Sequence, residues 1–87
     1  MQSELERVMA KPGLNLLIRE YLLIASCVAL RHPAHLLRAH VASAMKLGAT
    51  KEPIVEVIRQ TIAYAGAEAV AEALNTAKAV LRAIVPD

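Results

Sequence analysis

Eighty-seven residues, 56% of them apolar, with no Phe or Trp and only Tyr21 and Tyr64 as aromatics, make a small chain that must build its core from Leu, Ile, Val and Ala. The net charge of +2 comes from Lys and Arg set singly among Glu residues, which argues against nucleic acid as a partner because phosphate backbones call for a clustered basic stripe. The apolar run at residues 21–30 is about half of the roughly 20 residues that span a bilayer, the N-terminus lacks a signal-peptide pattern, and one cysteine builds no disulfide framework, so a cytoplasmic location and no membrane partner are expected.

Ala, Leu, Lys, Arg and Glu, the best helix formers, dominate the chain and predict an all-α bundle of about five helices. Ser3 and Glu6 stand at capping-box spacing and open a first helix of about two turns, which Pro12-Gly13 stops. Asn15 caps a second helix that runs to about Arg31, with Leu16, Leu23, Cys27 and Leu30 on one side and Leu17, Ile24 and Val28 beside them. Apolar nearly all round, it reads as the central helix. His32-Pro33 makes a corner, because the residue before proline avoids helical geometry while Pro33 suits the first turn of the next helix.

Leu36, Leu37, Val41, Ala44 and Leu47 give the third helix its apolar side, and Gly48 supplies a positive-φ stop. Thr50 caps a fourth helix, with Pro53 in its first turn and Ile54, Val57, Ile58 and Ile62 at 3.6-residue spacing. Gly66 separates it from a last helix running to about Ile84, whose alanines at 67, 69, 71, 73, 77 and 79 let a neighbouring helix approach closely. No linker or internal repeat interrupts the pattern, so residues 1–87 read as one domain. So much apolar surface on short helices predicts burial against further copies of the chain, a homo-oligomer.

Few side chains offer chemistry. His40, one position off the apolar stripe, reads by itself as a solvated or hydrogen-bonded histidine. His32 and His35 have metal-ligand spacing, but Pro33 turns the chain between them and no carboxylate intervenes, so neither metal nor other cofactor is expected. Cys27 lies in an apolar run without an electropositive setting or a second cysteine and reads as a buried structural thiol. Arg19 and Glu20 are charges near the start of the most apolar helix; alone they read as a snorkelling arginine beside a carboxylate favoured by the helix dipole. Tyr64, alone, reads as a core or interface aromatic.

Taken together, the marks carry more. Lys11-Pro12-Gly13-Leu14 with Arg19-Glu20 and Leu22-Leu23-Ile24-Ala25, then His40, Ala44 and Gly48, then Ile54-Val55-Glu56-Val57-Ile58 and Tyr64-Ala65-Gly66, form a succession. In order and spacing it resembles the carboxymuconolactone decarboxylase family over about residues 8 to 84. The resemblance implies that family's helical fold, assembled as a trimer or hexamer. One branch of the family places a C-x-x-C pair just before the histidine, one thiolate attacking peroxide and the other resolving the product. Here those positions are Pro33 and Leu36, so dithiol chemistry is excluded unless Cys27 acts alone, and the chain falls nearer the decarboxylase branch. It departs from the family at Glu68, near where a proline usually follows Y-x-G, and at Pro53, where glutamate is usual and would partner Thr50 in a capping box.

By this resemblance the chain is a carboxy-lyase for a small anionic lactone or related acid. Loss of carbon dioxide drives electrons through the double bond onto the lactone oxygen, so a dienolate must be stabilised and then protonated on carbon. Arg19 would hold substrate carboxylates, Glu20 would handle protons, and His40 would donate to the oxyanion or share the proton transfer. Tyr64 would close the pocket or come from a neighbouring subunit. Counting about the His32-Pro33 corner places Glu20 roughly 7–8 Å along the axis from His40, flanking a substrate without touching. Two alternatives stand beside this reading: a non-catalytic oligomeric scaffold or small-molecule-binding member of the family, and thiol redox through Cys27. Whether Glu20 and His40 face one cavity separates the lyase from the scaffold.

Overall fold

Asn15 opens the first long helix as its sequence position predicts: its Oδ1 accepts from the Ile18 N–H at 2.8 Å, meeting one of the donors a helix start leaves unpaired. The computed structural model describes residues 3, 4, 6, 7 and 15–84. Ahead of Asn15, Ser3 Oγ accepts from the Glu6 N–H at 3.1 Å, the hydroxyl half of the predicted capping box. The Pro12-Gly13 stop lies outside the described residues.

Helix α1 spans Leu16–Ala29 and ends two residues earlier than the sequence suggests. The cause is Arg31, which takes the left-handed conformation at φ 54°. With Leu30 as the cap, Arg31 N–H donates to Val28 C=O at 3.2 Å and His32 N–H to Cys27 C=O at 2.9 Å, the paired bonds of a Schellman stop. Helix α2, Ala34–Lys46, follows Pro33 and closes in the same way. There Gly48, at φ 103°, donates to Met45 C=O, and Ala49 donates to Ala44 C=O.

Helix α3 spans Lys51–Gln60 with Thr50 at its cap position, but the Thr50 hydroxyl makes no cap hydrogen bond, contrary to the sequence reading. Pro53 explains part of this, since it occupies the third helical position and removes the N–H that a cap oxygen usually takes. The predicted fourth helix is also broken. The buried Thr61 hydroxyl donates back to Ile58 C=O at 2.7 Å, and its N–H bonds the same carbonyl, which tightens the turn there. A short α4, Ile62–Ala65, follows, and Gly66 at φ 89° leads into α5, Ala67–Ile84.

These helices pack as a ring, α1 on α2, α2 on α5, α5 on α3 and α3 on α1, with α4 against α1, α3 and α5. Ile24, Val41, Ile54 and Ile58 are fully buried at its centre. Burying one such side chain contributes about 1.5–3 kcal/mol. From α5, Ala69, Ala73, Ala77 and Leu81 form the buried stripe, four residues apart, and the alanines keep α5 close to its neighbours. Helix α1 does touch all four other helices, yet Leu16, Leu22 and Leu30 are more than half exposed, so its outer face is uncovered within one chain. No helix among the described residues is long and apolar enough to cross a membrane.

Candidate active site

Glu20 sits in the second turn of α1 and His40 in the middle of α2, where the two helices pack side by side. His40 Nδ1 and Glu20 Oε2 are 2.9 Å apart, with the side chains 28% and 16% exposed. The sequence-based expectation that the two residues stand too far apart to bond is therefore overturned. That expectation turns the chain about the His32-Pro33 dipeptide as a point. Counted from the helix ends, Glu20 lies nine residues before Ala29 and His40 six residues after Ala34. The axial offset shrinks to roughly 4.5 Å, which two long side chains close.

The bond sets the tautomer. An ionised carboxylate only accepts, so Nδ1 carries the hydrogen, and Nε2 is left either with its lone pair or, in the imidazolium, with a second transferable proton. Such a pair holds the ring in one orientation.

Glu20 also lines a shallow cleft of about 300 Å³ with Leu16, Ser43, Lys46 and Leu47. Ser43 and Lys46 follow His40 at successive three-residue steps on α2, and neither stands out in the sequence. The spacing is available there as a signal, but only the packing of α1 on α2 shows that Glu20 meets this part of the helix. Arg19 is partly buried beside Glu20 on α1. Tyr64, 87% exposed, lines a different cleft of about 410 Å³ together with Tyr21, Leu22, Ala25, Val57 and Thr61. Within one chain the structure thus brings Glu20 and His40 together and places Tyr64 at another cleft.

The model of the carboxymuconolactone decarboxylase family matches residues 2–79. The chain belongs to this family. The match covers α1 to α4 and most of α5, and so takes in Arg19, Glu20, His40 and Tyr64. No curated protein matches the sequence.

Within this carboxymuconolactone decarboxylase fold the thiol stands apart from the Glu20–His40 pair. Cys27 is 6% exposed and lines a third cleft, about 270 Å³, with Arg31, His32, Leu37, Glu72 and Thr76. Burial first, and the Glu20 charge second, push its pKa above the ordinary thiol value. It is held as the neutral thiol at neutral pH, a poor nucleophile. Pro33 and Leu36, at the dithiol positions of the family's other branch, are exposed side chains without sulfur. Among the described residues, no three His, Cys, Asp or Glu side chains gather as metal ligands.

Proposed function

We propose that this family member is a carboxy-lyase acting on a small carboxylated lactone or related acid, with Glu20 and His40 as its acid–base pair. The observation that carries the reading is their 2.9 Å hydrogen bond, which ties His40 to a cleft lined by Glu20 and by a cation, Lys46, although His40 itself is not among the residues that line it. In the proposed reaction Lys46 and Arg19 attract the substrate carboxylates. The carbon–carbon bond to one carboxylate breaks, carbon dioxide departs, and the electron pair passes through the double bond to the lactone oxygen. His40, as the imidazolium, gives its Nε2 proton to the dienolate carbon and becomes neutral, Glu20 holds the ring through its Nδ1–H, and a proton from solvent restores Nε2–H. One proton is consumed for each carbon dioxide released. Ser43 is the hydroxyl donor available to the developing oxyanion.

The same reading has the chain assemble as a trimer or hexamer. Leu22, Ile62 and Tyr64 are more than half exposed, and an apolar cleft lies beside them. Covering that face with another copy would bring Tyr64 to a neighbouring subunit. The test is carbon dioxide release from a carboxylated lactone by the full-length chain, with the particle mass measured by light scattering on the same sample. His40→Ala is expected to lower turnover by about 10²- to 10⁴-fold, the usual contribution of a positioned proton donor. Unchanged turnover in that variant sinks the mechanism, and a monomeric mass sinks the assembly.

A further inference from the structure

A fourth cleft, of about 460 Å³, opens between the C-terminal end of α2, the start of α3 and the last turns of α5. Met45, Ala49 and Leu81 give its lining apolar surface, Thr50 adds a hydroxyl, and Lys51, Lys78 and Arg82 are cations. Lys78 and Arg82 are four apart on α5 and share one face, an arrangement that like charges disfavour. Lys51 opens α3, where the helix dipole adds positive character. None of the three is in an ion pair among the described residues, where the pairs are Arg7 with Glu4 and His40 with Glu20. Glu52, the next residue along α3, is not among the described residues that line the cleft.

Three converging cations repel one another unless something negative lies between them. An inorganic anion would answer the charge and leave the apolar lining unused, whereas a wholly apolar ligand would leave the charge unanswered. The volume falls in the range of about 300–1,000 Å³ typical of small-molecule sites. We infer that this cleft binds a small organic carboxylate with an apolar body, at a site separate from Glu20 and His40. The carboxylate pairs with Arg82 and Lys78, Arg82 offering the two-pronged geometry that suits it. Lys51 closes the opposite side, and the apolar body lies against Met45, Ala49 and Leu81.

The experiment is a titration of the isotope-labelled full-length chain, followed by amide NMR, with benzoate, with inorganic phosphate and with uncharged benzyl alcohol. Benzoate is expected to shift the amides of Ala49, Lys51, Lys78 and Arg82 saturably, and both other probes are expected to bind that cleft at least about tenfold more weakly. Lys78→Gln combined with Arg82→Gln is expected to weaken benzoate about tenfold there, with the helical circular dichroism signal retained. Glu20→Gln is expected to leave it unchanged. Phosphate binding as tightly as benzoate overturns the organic ligand. Shifts confined to the Glu20 cleft, or benzoate binding that survives the double substitution, overturn the site itself.

Discussion

Glu20 and Cys27 stand about two turns apart on α1, and the neighbouring helix treats them differently. Glu20 meets His40, lines a cleft with Lys46 and keeps some contact with solvent. Cys27 lies close to the corner, 6% exposed, and burial holds its thiol neutral. A shared helix therefore says little about reactivity. What α2 presents to each residue decides it: a histidine opposite the carboxylate, and Leu37 on the wall of the thiol's cleft. On the proposed reading, this difference favours proton transfer over sulfur.

Substituting each of the two residues in turn should expose the contrast most strongly. Glu20→Gln keeps the size of the side chain and removes the carboxylate that fixes the orientation and tautomer of the His40 ring, so turnover is expected to fall about a hundredfold. Cys27→Ala should leave turnover within about threefold of the parent, because the thiol touches no step of the proposed reaction. Steady-state carbon dioxide release measures both. Equal losses in the two variants would erase the distinction between the sites.

Much of this contrast is legible in the residues alone. Glu20, His40 and the buried thiol can all be picked out there, as can Asn15 as a cap and Gly48 as a stop, because each rests on local chemistry or on an order of marks along the chain. The contact between Glu20 and His40 escapes the sequence for a local reason as well. Arg31 occupies a left-handed position that glycine usually fills, so the end of α1 carries no visible signal, and the level of α2 against α1 is counted from the wrong point. Thr61 is similar: threonine is an ordinary helix residue until its hydroxyl bonds to Ile58 C=O and breaks the turn. Ser43 and Lys46 share a helical spacing with His40, but that spacing does not say that Glu20 of α1 meets them.

Arg31 follows the end of α1 and lines the cleft of Cys27, and replacing it separates structure from chemistry. A non-glycine residue in the left-handed region costs about 1–2 kcal/mol. Arg31→Gly removes that strain, while the greater freedom of glycine in the unfolded chain cancels about 0.4–1 kcal/mol of the gain. The expected net is a stabilisation of about 0.5 kcal/mol, or roughly 2–4 °C in thermal unfolding for a chain of this size. Turnover should not change, since Arg31 lines the cleft of Cys27 and not that of Glu20. A lower melting temperature would mean that the guanidinium contributes more to the corner than the backbone strain costs.

The smallest effect probes the thiol directly. Its folded pKa is raised above the ordinary value of 9.0, so between that value and the folded one the native state keeps a proton that the unfolded chain has released. Proton release then favours unfolding. The contribution of Cys27 to stability is complete below pH 9 and is lost as the pH rises through the folded pKa. The informative quantity is the difference between the parent and Cys27→Ala in denaturant unfolding across that interval. The parent should lose stability faster than the variant as the pH rises through that interval. Glu20→Gln removes the second cause of the raised pKa and leaves burial, the larger one, in place. Alkylation of Cys27 should then begin at a slightly lower pH in that variant, and an alkylation profile indifferent to Glu20 would mean that the carboxylate and the thiol do not sense each other along α1.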